Sequence, residues 1–361
     1  MKKLFTTINI NRFLLLIILA VILAYQLVGG YKYFELSNDG QILALRLQDF
    51  LTLFLSIIVE AFPFVILGVT ISTLVGVGFF SWLATQVKTH KYILAPLYLI
   101  YILFNTIDKK LYKNRFYSHI KISLMGVVLP VCECGNVPVA RRLLLSGFTV
   151  SQSITFLLAA PILNPVTFLT TMEAFSFDPS VVVIRMLAGF IIANFIGILL
   201  SYKKPQSDFL NLDFYQEVCE AVDHKHSKNR FIEALNTFQR EFLEIFKVLV
   251  IGAILAGISQ TFIPRDIIIA IGQNPLLSIL AMILLAFVIS ICSNVDAFFA
   301  LSYANSFTMG SILGFLVFGP MIDIKMLTMM KSTYKLKLLG LVTVYVFLFS
   351  FLTALIVNFI K

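Results

Sequence analysis

Two cysteines and a glutamate stand together in Pro130-Val131-Cys132-Glu133-Cys134-Gly135-Asn136-Val137-Pro138, just ahead of Arg141 and Arg142. Thiolates with a carboxylate make a donor set for a soft or borderline species, such as a thiophilic metalloid or a transition-metal ion. Cys132 and Cys134 are therefore candidate metal ligands, and Cys132, Glu133, Cys134 and Asn136 candidate substrate ligands. Successive residues of a helix turn by about 100°, so in regular helix the two sulfurs would point to nearly opposite sides. Gly135 and Pro138 oppose regular helix at this point. An unwound segment would turn both sulfurs and Glu133 toward one cavity, which is the expectation here.

A second polar cluster, Cys292-Ser293-Asn294-Val295-Asp296, echoes the first. Asn294 and Asp296 join the candidate substrate ligands, as do Asn164 and Asp323, which follow Pro161 and Pro320. Pro161 and Pro165 bracket a Pro-Ile-Leu-Asn-Pro run, which predicts a kinked helix with released carbonyls; Gly319-Pro320 predicts the same. Asp296, Asp323 and Glu60 are ionisable groups in apolar surroundings and thus candidates for a proton or cation relay. Glu60 and Lys247 lie on paired segments, where the alternatives are a pair across the core or two groups nearer the interface. Arg185 is expected to pair or to snorkel. Cys219, His224 and His226 form a loose metal-type set, but their spacing is not a standard zinc pattern, and their segment reads first as a solvated charged linker.

The elements that position these groups are apolar. Of 361 residues, 59% are hydrophobic and 13% charged, well beyond the roughly 45–50% apolar share of a soluble domain. Runs long enough for a ~30 Å hydrocarbon core cover Phe13–Val28, Asp49–Phe80, Val150–Met172, Ser180–Tyr202, Phe242–Ile263, Asn274–Ile291, Thr308–Met326 and Leu338–Ile360. Lys2 and Lys3 ahead of the first run resemble a signal peptide, but Tyr25-Gln26-Leu27 is a poor cleavage site, so an uncleaved helix is expected. The net charge of +9 is concentrated in loops. Assigning 22 of the 28 basic residues to the cytoplasm, Lys325–Lys337 and Arg141-Arg142 among them, puts the N-terminus inside and the C-terminus outside. Four cysteines without paired spacing imply reduced thiols.

The two halves are similar in order. Cys134-Gly-Asn-Val-Pro138 aligns with Cys292-Ser-Asn-Val-Asp296; then Phe148-Thr149 aligns with Phe307-Thr308, Pro161 with Pro320 and Asn164 with Asp323. Glu60 and Gly68 match Glu244 and Gly252. The charge map runs the Pro161 helix outward and the Pro320 helix inward, so the repeats are inverted, a plan that places a transport site near midplane. Segments 119–147 and 274–306 then begin and end on one side, as re-entrant or broken hairpins. The organisation is an extra N-terminal transmembrane helix and outer loop (1–48), a first repeat (49–202, with an insertion at about 88–118), a polar cytoplasmic loop (203–240) and a second repeat (241–361). Tyr92–Phe104, inside the insertion, is apolar, short and flanked by basic groups, which fits an interfacial or re-entrant helix.

No phosphate loop, H-E-x-x-H or G-x-S-x-G sequence is present, so nucleotide hydrolysis, metalloprotease and hydrolase chemistry lack their signatures, and no folded basic module points to nucleic acid. The run from Pro130 to Arg142, the later Ala-Pro-Ile-Leu-Asn-Pro, Cys-Ser-Asn-Val-Asp-Ala-Phe and Phe-Gly-Pro-Met-Ile-Asp-Ile-Lys together resemble the ArsP/YraQ-type predicted permease family, over about Asp49 to Ile360. The resemblance implies a membrane permease; some members export trivalent organoarsenicals. Its motif falls on Cys132, Cys134, Gly135, Pro138, Asn164 and Pro165, and on Asp296, Pro320, Asp323 and Lys325.

The expectation is thus an all-α integral membrane protein of the plasma membrane, not an enzyme and without a cofactor. It would move a small solute or ion, a thiophilic metalloid or metal species among the candidates, by alternating access. Its partners would be the lipid bilayer and that solute, with a homo-oligomer or an accessory membrane protein as further candidates. The alternative is a non-transporting scaffold or sensor that uses the Cys219/His224/His226 loop.

Overall fold

Prolines and short polar caps decide where the apolar runs stop. The computed structural model describes residues 38–76, 115–128, 132–176, 178–202, 206–211, 214–215, 230–262, 275–304 and 306–360. The expected helix at Phe13–Val28, the Tyr92–Phe104 segment and the Cys219, His224 and His226 set lie outside those residues. Among the described residues the long elements are all helices, which satisfy their own backbone groups where no water can.

The first six helices are α1 (Asn38–Gly76), α2 (Arg115–Val128), α3 (Glu133–Leu145), α4 (Val150–Ala159), α5 (Pro165–Ala174) and α6 (Pro179–Ser201). The next six are α7 (Arg230–Phe262), α8 (Pro275–Ile289), α9 (Asp296–Leu301), α10 (Met309–Met321), α11 (Ile324–Met330) and α12 (Leu336–Ile360). Thr149 opens α4 with a capping box to Gln152, and the Thr308 hydroxyl opens α10 by accepting from the Ser311 N–H. Asn164 caps α5 ahead of Pro165, and Asp323 caps α11 through the Met326 N–H.

The Val150–Met172 run is two helices and not one kinked helix. Pro161 and Pro165 each lack an N–H, and the chain leaves helix between Ala159 and Pro165. The Pro161 carbonyl is not left free, because the Thr167 hydroxyl donates to it at 2.9 Å. In the second half α10 ends just past Pro320, and Ile322 and Asp323 are extended before α11.

The expected unwinding across Gly135 and Pro138 does not occur. Helix α3 begins at Glu133 and runs through Pro138. Cys132 is the extended residue (φ −70°, ψ 173°), and its carbonyl accepts from the Gly135 and Asn136 N–H groups. Pro138 withholds only the N–H that the Cys134 carbonyl would have received, a loss one turn inside the helix can carry. The Cys292 carbonyl accepts from Val295 and Asp296 in the same pattern. Hydrogen bonding therefore matches Cys292 to Cys132, two residues away from the sequence alignment with Cys134.

α1 packs against α7 and α3, α4 against α6, and α10 against α8 and α12, while α5 meets α9 and α11 meets α3. Gly68 makes the α1–α3 contact feasible, since a Cβ there would lie 2.3 Å from the Gly135 carbonyl oxygen. The segment Met309–Met330 is central and mostly buried, whereas Arg46–Leu74 is largely exposed and presents Val59 and Leu67 outward. Arg46–Leu74, Pro179–Ser201, Met309–Met330 and Leu336–Ile360 are each long and apolar enough to cross a bilayer. The chain is a multi-pass membrane protein.

At one end a strap ties elements from both parts of the chain. Leu210 bridges to Tyr334, and the Lys335 N–H donates to the Phe209 carbonyl at 2.9 Å. The Tyr334 hydroxyl, pushed above its ordinary range by burial, meets the Ser153 hydroxyl at 2.7 Å. Arg141, assigned by the charge map to a loop, is buried: it sits over the Phe214 ring (4.8 Å) and pairs with Glu244 at 3.0 Å.

Candidate functional site

Because α3 starts at Glu133, Cys132 lies off the helix and Cys134 on it, and this change of geometry keeps their sulfurs on the same side. The Cys132 thiol is within hydrogen-bonding reach of both Cys134 and Cys292. All three cysteines are free and buried. Sγ of Cys132, a carboxylate oxygen of Glu133 and Sγ of Cys292 lie within 4.8 Å of one another.

Glu133 organises this cluster. Its Oε1 accepts from the Lys325 ammonium at 3.2 Å, and its Oε2 accepts from Cys292 Sγ at 3.7 Å and Ser293 Oγ at 3.4 Å. Lys325 also donates to the Ser290 carbonyl at 3.3 Å. Ser290 itself holds the left-handed φ of 52°, a conformation that costs about 1–2 kcal/mol. As the first residue of α3, the Glu133 carboxylate also faces the positive end of the helix dipole.

Lys325 had been placed by the sequence among cytoplasmic basic residues; it is instead 3% exposed, at the start of α11 behind Asp323. Asp323 is within electrostatic reach of Lys325 and Glu133. Its one oxygen caps α11, while Oδ2 has no hydrogen-bond partner among the described residues. Glu60 on α1 lies within electrostatic reach of Lys325 and Glu133 and near Cys292. Lys247, its candidate partner, is exposed on α7.

A second buried pair stands beside the first. Arg185 on α6 is fully buried, so it pairs and does not snorkel: it donates to Asp296 Oδ2 at 2.5 Å and to the Thr171 hydroxyl at 2.7 Å. The Thr171 hydroxyl donates a hydrogen bond to the Thr167 carbonyl at 2.6 Å, and the Thr167 hydroxyl to the Pro161 carbonyl. Asp296 is the first residue of α9, as Glu133 is of α3. Each of these acids is thus met by a base from the other part of the chain, Lys325 for Glu133 and Arg185 for Asp296. Asp296 Oδ1 and Asn294 Oδ1 have no hydrogen-bond partner among the described residues.

Of the residues singled out by sequence, Cys132, Glu133, Cys134, Asp323 and Glu60 share the first cluster. Asp296 belongs to the second pair. Asn164 is buried as a helix cap, accepting from the Val166 N–H at 2.9 Å, and Asn136 is buried within α3. Sequence reasoning left out Ser290, Ser293 and Thr171, and had Cys292 only as an echo. The sole signal for Cys292 was its place in the Cys-Ser-Asn-Val-Asp run that echoes the first cluster.

Comparison with known proteins agrees in direction. Residues 89–359 match the family model described as predicted permease. The chain is 34% identical over 299 residues to the UPF0718 protein YcgR of Bacillus subtilis (strain 168), covering 82% of this chain and 92% of that one. It is 33% identical over 289 residues to a Streptococcus mutans serotype c (strain ATCC 700610 / UA159) protein, named as a candidate subunit of a two-component membrane permease complex. That match covers 80% of this chain and 87% of the relative. No solved structure matches.

Proposed function

This chain belongs to the ArsP-type predicted permease family, and on that premise we propose that it is a secondary transporter which moves a thiophilic metal or metalloid species by alternating access. The observation that carries the reading is the buried meeting of Cys132, Glu133 and Cys292, two thiols and a carboxylate within 4.8 Å, drawn from two separate hairpins. Intramembrane ionisable groups are costly to keep and mark transport paths. Thiolate donors select soft ions over hard ones.

The protein is built from two inverted copies, α1–α6 and α7–α12. Support comes from the matched order of a long helix, a broken hairpin, a broken helix and a long helix in each copy. The paired caps Thr149 with Thr308 and Asn164 with Asp323 add to it. So do the crossed contacts of α5 with α9 and α11 with α3. The two hairpins meet where substrate binds, and rocking of one copy against the other opens the site to each side in turn. The N-terminus is cytoplasmic and the C-terminus outside. An accessory membrane protein is a fitting partner, as the name of the Streptococcus relative suggests for that protein.

Proteoliposomes holding the full chain test this. They should pass a thiophilic ion or a trivalent arsenical, and Cys292→Ser should abolish the flux. Absence of flux for the whole set, or flux untouched by Cys132→Ser and Cys292→Ser, sinks the reading. Single cysteines at Ser176→Cys and Lys331→Cys in a background whose native cysteines are replaced by serine should label from opposite faces of the membrane. Labelling from one face would end the inverted plan.

A further inference from the structure

Glu133, Asp323 and Glu60 all lie within electrostatic reach of Lys325, and of the three only Glu133 holds it by a hydrogen bond. The ammonium sits on Glu133 Oε1 at 3.2 Å. Two residues along the chain, Asp323 is within its electrostatic reach and keeps Oδ2 without a hydrogen-bond partner among the described residues. Resting on the transporter reading above, we propose that Lys325 is a built-in counter-ion for a cationic cargo. It neutralises Glu133 between cargo ions and swings to Asp323 when Cys132, Glu133 and Cys292 take the cation.

Four features lead to this. The first is the size of the donor triangle. Metal–sulfur bonds of about 2.3 Å and metal–oxygen bonds of about 2.0–2.2 Å put two donors on one ion no more than about 4.6 Å apart. Three donors already within 4.8 Å of one another need only small rotations to close on a soft cation.

The second is charge. The ammonium rests on Oε1 of the same carboxylate whose Oε2 faces Cys292 Sγ, and an ammonium left there would repel the cation strongly in a poorly screened interior. Cargo and Lys325 therefore compete for a single carboxylate. An anion or a neutral solute would not displace the lysine, so the competition specifies a cation.

Third, the two crossed ion pairs differ in their base. Arg185 is forked between Asp296 at 2.5 Å and Thr171 at 2.7 Å, and a planar guanidinium in that grip is fixed in place. Lys325 is a point charge on a flexible stem with contacts of 3.2 and 3.3 Å, and can turn about its side-chain bonds. The Arg185 pair is the static joint; the Lys325 pair is the moving one.

Fourth, the destination exists. A buried carboxylate oxygen without a donor is costly, and Asp323 Oδ2 is such an atom, positioned by its capping role at the start of the helix that carries Lys325. When the cation binds, each thiol gives its proton to water in the path, two metal–sulfur bonds form, and the metal keeps its oxidation state.

The experiment uses the purified full chain in detergent and Cd²⁺ as probe, with binding read from the ultraviolet sulfur-to-cadmium charge-transfer band. A neutral trivalent arsenical serves as the second probe. Wild-type protein should bind Cd²⁺, and Lys325→Met should bind it about tenfold tighter or more, since its competitor is gone. The arsenical, which meets thiols without displacing a charge, should keep its affinity in Lys325→Met. Asp323→Asn should weaken Cd²⁺ binding by removing the lysine's second dock, and this variant decides the matter if Lys325→Met fails to fold. Unchanged or weaker Cd²⁺ binding in folded Lys325→Met overturns the proposal, as does unchanged or tighter binding in Asp323→Asn. Wild-type protein that passes the arsenical but does not bind Cd²⁺ also overturns it and leaves the transporter reading standing. The converse, the predicted affinity shifts without flux in proteoliposomes, upholds the lysine switch and removes transport.

Discussion

Breaking the Arg185–Asp296 pair should be far more damaging than removing it whole. The guanidinium is fully buried and the carboxylate 2% exposed, with 2.5 Å between them. Solvent cannot screen either charge, so the single substitution Arg185→Met leaves a bare carboxylate at the first residue of α9. Asp296→Ala leaves a bare guanidinium whose other hydrogen bond, to Thr171, does not neutralise it. Each single change should cost about 3–5 kcal/mol, or two to four decades in the folded population. The double variant buries no lone charge. Buried pairs replaced by apolar groups are often neutral or stabilising, so its loss should fall well below the sum of the two. Titration of the protein from mixed micelles with sodium dodecyl sulfate, followed by far-ultraviolet circular dichroism, gives the four stabilities of the cycle. A coupling energy below about 0.5 kcal/mol, with the two losses simply adding, would refute the claim that the pair acts as one buried unit.

Three smaller perturbations follow from particular contacts. Gly68→Ala would set a Cβ 2.3 Å from the Gly135 carbonyl oxygen, forcing α1 off α3. It should lower the thermal unfolding temperature sharply, whereas Gly340→Ala, with nothing within 4 Å, should be neutral or raise stability by up to about 1 kcal/mol. A mild effect at both positions would mean that the α1–α3 contact yields easily. Thr167→Val removes the donor to the Pro161 carbonyl and should cost about 1–3 kcal/mol, with Thr167→Ser restoring most of it in the same titration. Ser72 donates to Glu241 Oε2 at 2.7 Å between α1 and α7, with both side chains buried; losing that donor in Ser72→Ala should cost about 0.5–1.5 kcal/mol. A loss below 0.5 kcal/mol would deny that contact a structural role.

The sequence carried the helices well and the site in part, and the reason lies in what a linear pattern can encode. Hydrophobic runs are local, so α6 and α12 follow from residues a few places apart, whereas the Val150–Met172 run read as one kinked helix hid the break and the cap at Asn164. Pro138 misled for the same reason. Read locally it forbids a helix, yet in the second turn of α3 it costs one backbone bond, and the extended residue is Cys132 ahead of it. Long-range pairing is different. Glu133 meets Lys325 across 192 positions and Arg185 meets Asp296 across 111, and no periodicity sets the rotation of one helix against another. A lysine among other lysines at 331, 335 and 337 reads as loop charge, although its neighbour Asp323 held the contrary signal. An acid two residues before a base, after Gly-Pro, begins a short helix and turns that base inward. Cys292 was visible only as the second copy of a motif. The echo between the two Cys-containing segments was therefore the one sequence feature that set these distant residues side by side, and it aligned Cys292 with Cys134, whereas the carbonyl pattern matches Cys292 to Cys132.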